Sequence, residues 1–221
     1  MEFIQSSNPS EGAQAMAQKI VESLRKGKVL WLICGGSNVP LSAEAMDAVR
    51  AAVSADELRN LTVGMTDERY GPLGHADSNW KQLEDVGFNI EGVTAIPVLT
   101  GKPLEETVSE YAQKLEDALQ EEPLVIAQFG IGADGHIAGM LPHSPAVSST
   151  DTIYAYEAAP FTRITITQPV FKKISVAYAI VFGESKKAAI DRLKNEDLPV
   201  EEMPCQLLKQ IPEAYFYTDQ L

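Results

Sequence analysis

Short apolar runs alternate along this chain with longer stretches of helical periodicity, and that alternation restricts the fold more than any other feature. Residues 10–26 place Ala13, Met16, Ala17, Ile20 and Leu24 on one helical face, with Gly27 supplying a C-cap. A strand is predicted at 28–33. Helical spacing returns at 42–53 through Ala45, Met46, Val49 and Val53. A strand at 61–65, a short helix at 78–86 and a strand at 93–98 follow. A long helix over 104–120 turns Val108, Tyr111, Leu115 and Ala118 inward. Strands are then predicted at 124–129, 152–156, 163–167 and 175–182, a helix at 184–194 and a last strand at 214–217. This order specifies an α/β fold of three layers, a mostly parallel twisted sheet with helices on both faces in a Rossmann-like arrangement. Continuously apolar strands such as 124–129 fit burial on both sides. No internal repeat, low-complexity segment or linker-like shift in composition divides the chain, so residues 1–221 are read as one domain. Glu121-Glu122 and Glu196-Asp197 are read as solvated helix ends.

With 45% hydrophobic residues the chain can bury a sizeable core without disulfides. No run approaches the roughly 18 apolar residues of a membrane span. The opening Met1-Glu2-Phe3-Ile4-Gln5 lacks the basic and apolar regions of a signal peptide. Cys34 and Cys205 are too few for a disulfide framework and are expected to be buried free thiols. A cytoplasmic protein is the expectation. The net charge of −13 argues against a nucleic acid or an anionic membrane as partner. It does not exclude a small anion, because screening over about 8 Å lets a local cluster of Arg and Lys outweigh the global field.

The densest chemistry lies in Phe129-Gly130-Ile131-Gly132-Ala133-Asp134-Gly135-His136, just past a predicted strand. Three glycines permit close approach of backbone to ligand, and an Asp two residues before a His sets an acid/base pair where open α/β sheets bind ligands. Gly35, Gly36, Ser37 and Asn38 occupy the first strand-to-helix junction, where freed backbone N–H groups make a phosphate cradle; an ordinary tight turn is the alternative. The junction matches neither a Walker A nor a Rossmann glycine pattern, so a nucleotide is not expected. Asp67-Glu68-Arg69-Tyr70 follows the strand at 61–65 as a charged loop, and Ser78-Asn79 can return polar groups to the same crevice. Arg163, opening its strand, and Lys186, in the first turn of a helix, add candidate cations, though either can be a surface charge. His75 and His143 lack metal-ligand spacing with His136, no G-x-S-x-G elbow is present, and neither a metal nor an organic cofactor is expected.

Together these segments resemble the 6-phosphogluconolactonase family, within the wider glucosamine-6-phosphate isomerase/deaminase-like superfamily. The resemblance rests on Gly35-Gly36-Ser37 with Pro40; Asp67-Glu68-Arg69 with Ser78-Asn79; Gly130 to Ala138 with Pro142; and Arg163-Ile164-Thr165 leading to Gly183-Glu184-Ser185-Lys186. Arg69 and Leu141 stand where the deaminase branch carries Tyr and Glu. Ile137-Ala138-Gly139-Met140-Leu141 and Asn38-Val39 depart from the usual lactonase residues. The resemblance implies hydrolysis of 6-phosphoglucono-δ-lactone, the second step of the oxidative pentose phosphate pathway. It implies His136 as base, Asp134 orienting it and Arg69 at the oxyanion, with Gly35, Gly36, Ser37, Asn38, Asp67, Gly132, Arg163 and Lys186 binding substrate. Lys187 is the rival to Lys186. The expected partner is a phosphorylated sugar lactone, and the expected state a monomer or small homo-oligomer. The alternatives are a deaminase/isomerase acting on an amino-sugar phosphate, or a non-catalytic sugar-phosphate-binding protein.

Overall fold

A computed structural model describes residues 1–121 and 123–221; Glu122, read as part of a solvated helix end, lies outside the described residues. Its companion Glu121 is tied to Lys28 by an ion pair of 2.8 Å. The strands are β1 (Glu2–Gln5), β2 (Val29–Ile33), β3 (Leu61–Met65), β4 (Asp67–Tyr70), β5 (Thr94–Ile96), β6 (Leu124–Phe129), β7 (Ile153–Ala158), β8 (Phe161–Ile166), β9 (Val176–Ile180) and β10 (Glu213–Thr218). The helices are α1 (Ser10–Leu24), α2 (Val39–Ala52), α3 (Ala55–Leu58), α4 (Asn79–Asp85), α5 (Leu104–Gln120), α6 (Pro145–Ser148), α7 (Gln168–Phe171) and α8 (Lys187–Asn195).

Seven strands form one parallel sheet in the order β1-β10-β9-β6-β2-β3-β5. Every residue of β2 and β9 is buried. Because alternate side chains of a strand point to opposite faces, complete burial means that both faces of the sheet are covered. Trp31, at the centre of β2, is fully enclosed and lies 5.7 Å from the Phe88 ring. From β2 the chain builds outward through β3 and β5, then returns to add β6 on the other side. The order therefore reverses between β2 and β6, and the crevice at their carboxyl ends is where such sheets bind ligands. Both glycine-rich loops leave those two strands.

Several elements differ from the sequence expectation. The Asp67–Tyr70 segment is a strand and not a loop: β4 pairs antiparallel with β8, and β8 with β7, in a separate three-stranded sheet. Only Thr66 separates it from β3, so the chain passes directly from one sheet to the other. Arg163 accordingly lies within β8, which begins at Phe161. Helix α2 starts at Val39, earlier than its apolar period indicates, because Pro40 sits in the first turn, where its missing N–H costs nothing. Strand β1 closes the sheet edge where no strand was expected. No helix among the described residues is long and apolar enough to cross a membrane.

The carboxyl end of β3 needs outside help. Strand β5 stops opposite Gly64, so Met65 has no strand partner on that side. The buried Tyr111 hydroxyl of α5 supplies both bonds, donating to Met65 O (2.6 Å) and accepting from Met65 N (2.8 Å). Tyr111→Phe leaves both backbone groups unpaired, and the expected loss is about 2–4 kcal/mol. Urea unfolding checks it, as a lower midpoint at unchanged slope.

Candidate active site

Beyond β2 the chain turns sharply through Cys34 and Gly35 into a short 3-10 turn, Gly36–Asn38, that leads into α2. Gly36 has φ +71°, a conformation that favours glycine. A Cβ on Gly35 would overlap the Asn79 side-chain amide. Gly36 and Ser37 are exposed at the head of a 14-residue helix, so their N–H groups and the helix dipole favour an anion. Asn38 is different: its side chain is only 1% exposed and its Nδ2 donates to Ile180 O at 3.3 Å. It ties the loop to the end of β9 while still lining the crevice floor.

From β6 the chain enters the Gly130–His136 loop. Asp134 Oδ1 accepts from the backbone N–H of His136 (3.1 Å) and stands 2.7 Å from its ring Nδ1. This hydrogen bond, offset in part by desolvation, holds the Asp134 carboxyl down at about 2. Gly132 lies behind the pair, and any Cβ there would strike the imidazole. The loop is braced from outside: Cys205 N donates to Gly135 O at 2.9 Å, and a Cβ on Gly135 (φ +86°) would come within 2.6 Å of Met203 Cγ. Asp134 and Gly132 thus support His136 from the rear and do not line the crevice.

The third wall comes from the small sheet. Cross-strand register sets Asp67 opposite Thr165 and Arg69 directly opposite Arg163. Like charges facing each other across a ladder repel. Arg69 is steadied by a bond to Asp77 O (3.3 Å) and by the Phe161 ring at 4.6 Å. Arg163 carries a buried Nε without a partner among the described residues. Glu68, between Asp67 and Arg69, points the opposite way and is fully buried. Its carboxylate accepts from Arg69 N (2.7 Å), Asn79 N (2.7 Å), Trp80 N (3.0 Å) and Ser78 Oγ (3.0 Å). Burial still pushes the Glu68 carboxyl upward, with these bonds opposing it. Asn79 Nδ2 in turn reaches Asp67 O at 3.0 Å. Desolvation also raises Asp67, against the pull of Thr66, Arg163, His136 and Arg69.

The fourth contribution is Lys186, the last residue of the 3-10 turn Glu184–Lys186 that precedes α8. It lines the crevice, whereas Lys187 lies within 3.6 Å of Asp191 one helical turn along. The structure thus gathers Gly35, Gly36, Ser37, Asn38, Asp67, Arg69, His136, Arg163 and Lys186 around one space of about 260 Å³, together with Cys34, Asn79, Gly130, Ile131 and Ala138. Cys34, expected as a buried free thiol, sits just beyond β2 on the crevice floor, where burial pushes its thiol up to about 12. Arg69, Arg163 and Lys186 make no ion pair among the described residues. Three unpaired cations against one carboxylate make the crevice locally positive on a chain of net charge −13. Sequence reasoning brought Ser78-Asn79 back to this crevice, eleven residues after Asp67-Glu68, but gave no role to Glu68 as the carboxylate that anchors them. No cluster of three or more metal-ligating side chains occurs among the described residues.

The Asp134–His136 bond has a pH signature. A carboxyl held near 2 when its ordinary value is 3.8 adds stability above about pH 4 and loses it as pH falls toward 2. Asp134→Asn is therefore expected to unfold at lower urea than the parent at pH 6. The gap should close between pH 4 and pH 2, as equilibrium unfolding at each pH will show.

The sequence profile of the family described as glucosamine-6-phosphate isomerases/6-phosphogluconolactonase matches residues 7–216. A 6-phosphogluconolactonase of Bos taurus is 28% identical over 222 residues, spanning 92% of this chain and 84% of its own. Among solved structures, the 6-phosphogluconolactonase of Trypanosoma cruzi superposes with a TM-score of 0.80 at 19% identity, over 99% of this chain and 94% of that one. A monomeric glucosamine-6-phosphate deaminase superposes almost as well, with a TM-score of 0.78 at 16% identity over 99% and 97%. These structural likenesses show the shared fold, and the profile match shows the descent. The chain belongs to the glucosamine-6-phosphate isomerase/6-phosphogluconolactonase family.

Proposed function

We propose that this chain hydrolyses 6-phosphoglucono-δ-lactone to 6-phosphogluconate, with His136 activating the water. The observation that carries the reading is His136, held from behind by Asp134 at 2.7 Å, in one crevice with three unpaired cations. Asp134 is ionised at neutral pH and can only accept, so the ring proton belongs on Nδ1 and Nε2 keeps its lone pair. Nε2 takes a proton from water as the oxygen attacks the lactone carbonyl. The tetrahedral oxyanion draws on Arg69 and the backbone N–H groups of the glycine-rich loops. Its collapse breaks the bond to the ring oxygen, which leaves with the proton held on Nε2, and the new carboxylic acid ionises into solvent.

At the far end of the sugar, Gly35, Gly36 and Ser37 offer the head of α2 to the phosphate, and Arg163 and Lys186 offer charge. Asn38 holds that loop against β9. Binding energy from this remote anion orients the lactone for attack. Asp67 faces the sugar hydroxyls, and Gly132 gives the imidazole its seat. No step calls on a metal or an organic cofactor. The same reading carries a cytoplasmic location, residues 1–221 acting as one domain, and a monomer or small homo-oligomer.

The deaminase alternative needs a carboxylate at position 141 to orient the His. Leu141 has none, and its backbone N–H bonds the Tyr156 hydroxyl at 3.2 Å. Acid release from freshly made lactone, followed by pH-stat and corrected for spontaneous opening, tests the reading. Release of ammonia from glucosamine 6-phosphate would favour the alternative, and ligand-induced stabilisation without turnover a binding protein. His136→Ala should lower kcat about 10²–10⁴-fold with the circular dichroism spectrum retained; near-normal turnover removes the assigned base. Lys186→Ala should chiefly raise KM, and an unchanged KM discredits the phosphate contact.

A further inference from the structure

Ala138 combines an unfavourable backbone with a place on the crevice wall. It has φ +50°, and only His143, at +58°, shares the left-handed region among the described non-glycine residues. The cause is a two-residue hairpin: Met140 N donates to Ile137 O (3.0 Å) and Ile137 N to Met140 O (3.4 Å), leaving Ala138-Gly139 as its tip. A tight hairpin whose first central residue is left-handed prefers glycine at that position. Here the order is reversed, with alanine first and glycine second.

Close approach accounts for the glycine at the second position. A Cβ on Gly139 would lie 2.8 Å from Thr165 Cβ and 3.2 Å from Asp67 Cβ, and Gly139 N donates to Thr165 Oγ1 at 3.0 Å. Glycine is needed there for close approach of the small sheet. At position 138 the backbone favours glycine as well, yet a methyl is present. His136 and Ala138 flank the buried Ile137 and both line the crevice, Ala138 resting on the edge of the hydrophobic core. The strained alanine therefore shares the crevice wall with His136, on a lining otherwise of polar side chains and glycine, with Cys34 and Ile131.

We propose that the Ala138 methyl is a specificity-determining contact for the lactone. It supplies the apolar surface against which the C–H face of the sugar ring rests, so that the carbonyl meets His136 at the correct depth. The role rests on the lactonase reading. Loops of this kind keep strain where it serves function, and a small misplacement of the reacting carbon is costly in rate.

The test compares the parent chain with Ala138→Gly, Ala138→Asn and His143→Gly, each by thermal unfolding and lactone hydrolysis. Ala138→Gly should melt at higher temperature, since the strain is relieved, yet lose about tenfold or more in kcat/KM. Asn tolerates left-handed backbone, so Ala138→Asn should fold but fill the crevice and raise KM further. His143→Gly, the same relief at an exposed position, should gain stability with activity unchanged. Parent-like kcat/KM in Ala138→Gly, or a lower melting temperature, overturns the role alone, because the methyl is then either idle or a packing group. Failure of the parent to hydrolyse the lactone overturns the lactonase reading, and this role with it.

Discussion

The site depends on a buried anion that touches no ligand. Glu68 is fully enclosed, and removing a carboxylate from water costs several kcal/mol unless its hydration is replaced. Four donors replace it: the backbone N–H of Arg69, those of Asn79 and Trp80 in the first turn of α4, and the Ser78 hydroxyl. The N-terminal end of a helix is the natural place to hold such a charge. One carboxylate thereby fixes strand β4 against α4. It presents Arg69 and Asp67 on the opposite side of the strand, and it seats the Asn79 amide against Gly35. The small sheet's wall and the Gly35–Asn38 loop are joined through a single side chain that faces away from both.

The other half of the site follows from strand order. Because the chain turns back between β2 and β6, the loops after these two strands open over the same gap, and both are rich in glycine for the same physical reason. One turns sharply at Gly36 (φ +71°) and leaves its N–H groups exposed at the head of α2. The other must fold a carboxylate back onto an imidazole two residues away, with nothing larger than hydrogen at Gly132. The buried line of Asn38, Ser42 and Gln128 stitches these loops together, with Ser42 Oγ 2.7 Å from Gln128 Oε1 and 3.1 Å from Asn38 O. Local geometry, and not the acidic surface, sets the sign of the potential that an anion meets.

What the sequence displays depends on how far apart interacting residues lie. Strands β2, β3, β6 and β9 are legible as apolar runs because burial on both faces leaves its mark on most of their residues. The Asp134–His136 pair is legible because both partners share one loop. Strand β4 is not: Asp-Glu-Arg-Tyr reads as a charged loop, since its ladder partner β8 lies far along the chain and its polarity reflects the crevice it lines. The confrontation of Arg69 with Arg163 belongs to that register and has no local signature. That Lys186 lines the crevice and Lys187 does not turns on a helix boundary one residue wide, with Asp191 at i+4 from Lys187.

That register also explains how the fold sustains two facing guanidiniums. Side chains on a strand alternate, so a slip of one residue in the β4–β8 ladder would turn Asp67 and Arg69 into the core and push Glu68 into the crevice. The pairs on either side prevent it: Glu68 opposite Ile164 faces inward, and both are buried, while Asp67 opposite Thr165 faces outward, where Thr165 also receives Gly139 N. The cost of a slip is Asp67 and Arg69 stranded in the core, several kcal/mol in sum, against repulsion between two partly solvated cations of about 1 kcal/mol. The favourable inward face of β4 thus holds an unfavourable outward one in place. A crevice with surplus positive charge is a stable product of the fold, ready for an anion before one arrives.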